Sequence, residues 1–98
     1  MIGNQYPQPS EIINCAIDYV NEFPELKNQR LRVYPKDCRV EIVRRTQVAE
    51  IGASHSMPPY WRVHIISSIF PGPYKHYVAT VEQEVGGSLA VTRLDPVV

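Results

Sequence analysis

The alternation of apolar and polar positions divides this chain into one helical stretch followed by several extended ones. From Ser10-Glu11 onward, Ile12, Ile13, Ala16, Tyr19, Val20 and Phe23 recur at helical spacing and build one apolar face, while Asn14, Asp18, Asn21 and Glu22 lie away from its centre. Ser10 is the expected N-cap, Glu11 complements the positive end of the helix, and Pro24 stops it near Glu22 or Phe23. Beyond Leu26 the period changes toward two. Leu31, Val33 and Tyr34 read as a short strand or an extended approach, broken at Pro35. Residues 38–51 form the longest strand candidate, but the phase shifts between Val40 or Ile42 and Val43, which calls for a bulge or strong twist at Arg44-Arg45-Thr46.

Three cleaner strands follow the 52–59 loop. Residues 60–69 put Trp61, Val63, Ile65, Ser67 and Ile69 on one face, and Tyr60, Arg62, His64, Ile66 and Ser68 on the other. Phe70-Pro71-Gly72-Pro73 is a proline-fixed connection, and residues 74–85 resume the alternation. Gly86-Gly87 marks a hairpin with positive φ available at both positions, and residues 88–94 supply the last strand. The connections are too short for crossover helices, so the sheet is expected to be antiparallel. The predicted fold is α+β: an extended segment over 1–9, then one domain over 10–98 in which an N-terminal helix packs on a curved four-stranded sheet. Its core draws on Ile12, Ile13, Ala16, Val20 and Phe23 against Val40 or Val43, Trp61, Val63, Ile65, Tyr77, Ala79 and Val81, completed by either Leu89 and Val91 or Leu94. Tyr60, Ile66, Tyr74 and Val78 fall on the opposite face, which is more apolar than contact with water alone requires.

Composition narrows the class without naming a function. The 98 residues are 44% hydrophobic and 20% charged, which excludes a disordered chain and leaves room for one domain. Ten Lys+Arg cancel ten Asp+Glu, yet unevenly along the chain. Residues 1–25 hold four acids and no base; residues 26–45 hold seven bases against Asp37 and Glu41. No apolar run reaches the length of a membrane helix, and residues 1–7 show neither the basic nor the hydrophobic part of a leader, so the expected location is cytoplasmic. Cys15 and Cys38 are expected as free thiols.

No stretch carries a recognised catalytic or metal-binding motif. His64 and His76 lie in neighbouring strands on one relative face, and an antiparallel pairing about residues 70–73 brings them near one another. There is no third ligand at metal spacing, and no HExxH or CxxC element. His55 sits between Ser54 and Ser56 in a loop, but adjacency in sequence does not make a nucleophile–base pair. The candidate binding residues are therefore His55, Tyr60, Arg62, His64, Tyr74 and His76, with no catalytic residue, metal or cofactor assigned. A basic patch from Arg30, Arg32, Arg39, Arg44 and Arg45 is the candidate nucleic-acid surface, although the segment lacks interleaved aromatics or a glycine clamp.

The order of a helix, an irregular basic strand and three antiparallel strands resembles the cystatin-like and NTF2-like arrangements. Within residues 60–89, Tyr60-Trp61-Arg62-Val63-His64, Tyr77-Val78-Ala79-Thr80-Val81 and Glu84-Val85-Gly86-Gly87-Ser88-Leu89 are similar to PepSY-like strands, with Ala79 standing where that pattern has valine. A cystatin's Gln-x-Val-x-Gly hairpin would fall on Gln47-Val48-Ala49-Glu50-Ile51, where Ala49 and Ile51 depart from it. Gly3 and Pro58-Pro59-Tyr60-Trp61 are the counterparts of its other two elements, with Tyr60 intervening before Trp61. The leading expectation is a non-enzymatic binding or adaptor protein that engages a protein partner or itself, as a dimer, through the sheet face and the 52–60 and 70–73 loops. The alternatives are an enzyme or small-molecule binder of NTF2-like type with His64 and His76 in a pocket, and a nucleic-acid binder using residues 30–45.

Overall fold

The computed structural model describes residues 7–43 and 60–98. Helix α1 spans Pro9–Asn21, a short helix α2 spans Pro24–Lys27, and four strands follow: β1 (Cys38–Val43), β2 (Tyr60–Ile66), β3 (His76–Gln83) and β4 (Leu89–Pro96). The strands form one antiparallel sheet in the order β1-β2-β3-β4. The α+β architecture read from the pattern, a helix on a four-stranded antiparallel sheet, is the one observed. The continuation of β1 past Val43, with the bulge expected at residues 44–46, lies outside the described residues.

Helix α1 starts two residues earlier than its capping pattern indicates. Pro9 occupies the first helical position, where its fixed φ suits the helix and its missing N–H goes unused. Gln8 is therefore the N-cap, and its carbonyl accepts from the backbone N–H groups of Glu11 and Ile12 at 2.9 and 3.2 Å. Ser10 lies inside the first turn, exposed, and caps nothing. At the other end, Pro24 holds Phe23 extended and ends α1 as expected. It also opens α2.

The segment after α2, read as a short strand or an extended approach, contributes to the core. Leu31 N–H reaches the Leu26 carbonyl at 2.9 Å and Arg30 N–H the Lys27 carbonyl at 3.1 Å, with Arg30 at φ +58. This pattern is a Schellman ending, with arginine in the left-handed position that glycine usually takes. Buried Leu26 and half-buried Leu31 supply its apolar contact pair. Residues 31–34 are extended but unpaired with the sheet; the Asn21 side chain takes the place of a neighbouring strand. Its Oδ1 accepts from Val33 N–H at 2.9 Å, and its Nδ2 donates to the Val33 carbonyl at 3.2 Å. Val33 and Leu26 thereby enter the core with almost no exposure.

On the helix-facing side, Trp61, Val63, Ile65, Ala79 and Val81 pack against Ile12, Ala16, Ile17 and Val20. Ile17, absent from the expected core, is buried, while Tyr19 sits on the flank of the stripe and leans on Phe23 with ring centroids 5.4 Å apart. Strand β2 is shorter than its alternation. After Ile66 the chain turns, and Phe70 folds back into the core against Tyr77, centroids 4.7 Å apart. The choice between Leu89 with Val91 and Leu94 is resolved by a bulge. Thr80 pairs Arg93 but Val81 pairs Val91, so Thr92 is an extra residue and the strand changes parity there. Leu89, Val91 and Leu94 all pack against the core. In the β3–β4 turn only Gly87 has positive φ (+93). Gly87 N–H bonds the Glu84 carbonyl at 2.8 Å and Glu84 N–H the Ser88 carbonyl at 2.7 Å, the three-residue loop with a glycine bulge rather than the two-residue turn.

Candidate functional site

The side of the sheet opposite α1 has no helix packed on it among the described residues. Its side chains form rows set by the register. Arg39 pairs His64, His64 pairs Val78, and Val78 pairs Asp95; one row along, Glu41 pairs Arg62, Arg62 pairs Thr80, and Thr80 pairs Arg93. His76 pairs Ile66 at the end of β2.

His64 and His76 are therefore diagonal neighbours rather than directly opposed, a separation that aromatic rings can bridge. His64 Nδ1 and His76 Nε2 lie 3.0 Å apart, with ring centroids separated by 5.2 Å. On its other side His64 Nε2 is 3.1 Å from Glu41 Oε1, again a diagonal step, this time toward β1. A carboxylate–imidazole–imidazole chain thus crosses three strands. Glu41 is acceptor only, so His64 donates its Nε2–H to it; Nδ1 of a neutral His64 then accepts from His76 Nε2–H. The His76 pKa is lowered from the ordinary 6.5 by partial burial first, then by the nearness of His64 and Arg39. The chain lines a shallow groove of about 400 Å³ together with Arg39 and Ile66.

A wider depression of about 670 Å³ lies beside it, with Tyr60, Arg62, Thr80 and Glu82 among its lining residues. Within β4 Arg93 Nε meets Asp95 Oδ2 at 2.6 Å, and the bulged Thr92 donates its hydroxyl across to Glu82 of β3 at 2.8 Å. Among the described residues no ion pair engages Arg62.

The sequence-derived candidates divide accordingly. His64 and His76 share the first groove, and Tyr60 and Arg62 line the second. Tyr74 is exposed in the connection before β3 and lines neither groove, and His55 lies outside the described residues. Of the basic set, Arg39 joins the histidine groove, Arg30 closes the α2 turn, Arg32 lies over the Tyr34 ring at 5.8 Å, and Arg44 and Arg45 lie outside the described residues. Sequence reasoning passed over Glu41, Arg93 and Asp95. Alternation about Val40 and Ile42 places Glu41 on the outer face, but only the β1–β2 register sets it beside His64.

The cysteines are away from this chemistry. Cys15 and Cys38 are free, and both pack against the core. Burial, then Asp37, pushes the Cys38 thiol up to about 11; burial, then Asp18, raises Cys15. Cys38 is on the helix-facing side of β1, opposite the histidines, so no thiol–imidazole pair forms. Among the described residues no helix is long and apolar enough to cross a membrane. No protein-family model, no curated protein and no solved structure matches this chain.

Proposed function

We propose that this protein is a non-enzymatic binding module that engages a protein partner, or a second copy of itself as a dimer, through the outer face of the sheet. The observation that carries this reading is the one-sided covering of the sheet among the described residues. The strands that pack α1 with their inner side chains present Ile66 at 47% exposure on the other side, at the end of β2 and diagonal to buried Val78, with a row of charges farther along. An exposed apolar side chain flanked by mixed charges is a composition found in contact surfaces. Tyr74 is exposed at the end of the 70–73 connection; the part played by that connection and by residues 52–60 belongs to the reading from sequence alone. The helix-on-sheet order is in keeping with a cystatin-like or NTF2-like arrangement, and a cytoplasmic setting with the two free thiols.

Mass measurement by light scattering across the micromolar range tests self-association. A dimer is expected, and Ile66→Glu should return it to monomer without lowering the melting temperature. A monomer throughout, or a dimer indifferent to Ile66→Glu, overturns self-association through this face. A second reading, a small-molecule site, is favoured by the shared groove of His64 and His76. Against it stand the groove's shallowness and the lack of a nucleophile among its lining residues. Nucleic-acid binding has weaker support, because Arg30, Arg32 and Arg39 lie on three different elements.

A further inference from the structure

The histidine pair lies beside the exposed isoleucine through which two copies are proposed to dock. In the β2–β3 register Ile66 stands opposite His76, and both line one groove with His64, Arg39 and Glu41. Resting on that docking of two copies, we propose that proton uptake by the His64–His76 pair switches the outer face off. The copies associate while the pair is neutral and separate once it is charged.

The cause is the charge balance of the groove. His64 Nδ1 and His76 Nε2 face each other at 3.0 Å and share one proton, while His64 Nε2 is held by Glu41 at 3.1 Å. With both rings neutral, Arg39 and Glu41 cancel, and the groove beside Ile66 carries no net charge. A proton arriving from solvent goes to His76 Nδ1, because the other three ring nitrogens are engaged. The bond between the rings survives, but the groove is now positive. A second proton sets N–H against N–H across the same contact and drives the rings apart.

Among the described residues no neighbouring strand supplies a spare acid. On β1 Glu41 is already balanced by Arg39, and on β2 the next outer residue is Arg62. Farther along β3, Glu82 accepts from Thr92 at 2.8 Å. On β4, Asp95 ends the His64 row and pairs with Arg93 at 2.6 Å. Lys75, next to His76, adds a positive charge of its own and donates to the Phe70 carbonyl. A two-fold interface sets the same patch of both copies face to face, so positive meets positive and each charge also loses water. Partial burial first, then His64 and Arg39, lower the His76 pKa, so the transition falls below pH 6.5.

The test is light scattering of the whole chain from about pH 7.5 to about pH 5, with circular dichroism at each pH confining the comparison to folded protein. The dissociation constant of the dimer should rise by at least about tenfold over this range. His64→Gln/His76→Gln, which cannot take up the protons, should keep the dimer at the upper pH and flatten the rise. If the double variant does not fold, His76→Gln alone should shrink the rise. A dimer of constant affinity, or an equal rise in parent and variants, overturns the switch and leaves docking in place. A monomer at the upper pH, or a dimer there that Ile66→Glu does not disturb, overturns docking through this face and the switch with it.

Discussion

The two faces of the sheet are built from alternating residues of the same strands, and they obey different rules. On the helix side the strands meet α1 through apolar side chains, Trp61, Val63, Ile65, Ala79 and Val81, and among the described residues no polar side chain is buried. On the outer side the neighbours include Arg39, Glu41, Arg62, His64, His76, Thr80, Arg93 and Asp95, with Glu41, His64 and His76 joined across strands and Arg93 paired to Asp95 along β4. The inner face supplies stability through area removed from water, which is insensitive to direction. The outer face supplies specificity through directed pairs that contribute little stability while exposed. Stability and candidate chemistry are thus separated by a single step along each strand.

The largest expected effect tests that step directly. Ile65 and Ile66 are chain neighbours with 0% and 47% exposure. Ile65→Ala should cost about 2–5 kcal/mol in chemical denaturation, from lost transfer energy and the cavity left behind. Ile66→Ala should stay within about 0.5 kcal/mol. Equal losses from the two substitutions would erase the distinction between the faces.

Next in size is Asn21→Ala, which leaves Val33's N–H and carbonyl without the partner they have now. A loss of about 1–3 kcal/mol in urea unfolding is expected, showing that residues 31–34 belong to the inner layer despite lying outside the sheet. A change near zero would mean that water replaces the amide at no cost. Smaller, and of opposite sign, is Arg30→Gly. It relieves the left-handed backbone at φ +58 and should raise the thermal midpoint, consistent with a gain of up to about 1 kcal/mol.

The smallest effect belongs to the outer face and depends on pH. Because the folded His76 pKa lies below 6.5, the unfolded chain binds this proton more readily. Its contribution is complete above 6.5 and is lost as pH falls from there through the lower folded value. Urea midpoints at about pH 7.5 and about pH 5 should therefore diverge less in His76→Gln than in the parent chain. Identical differences in both proteins would remove His76 from the acid response.

Much of this was legible in the order of residues. The helical stripe from Ile12 to Val20 and the two-residue alternation around Trp61 and Ala79 are local periodicities, and local periodicity survives into any fold that buries one face. The nearness of His64 and His76 also followed from strand pairing about the 70–73 turn. What was not legible depended on pairings that no local pattern encodes. Ser10 reads as a cap until Pro9 claims the first helical position. Leu26 and Val33 stand outside the expected core and Phe70 in a proline-fixed connection, and they become core where the Asn21 bonds to Val33 and the turn after Ile66 direct the chain inward.

Alternation and connection length settled which residues of β2 and β3 share a face, that the strands are antiparallel, and that one helix suffices to cover one side. Those properties come from side-chain periodicity and connection length, which are carried by neighbours in sequence. Tertiary structure alone decided that Thr92 is bulged, so that Val91 and Leu94 both face inward, and that Glu41 lies diagonal to His64. Both are matters of register between strands, and register is set when whole surfaces meet, because a shift of one residue costs nothing locally and exchanges the two faces entirely.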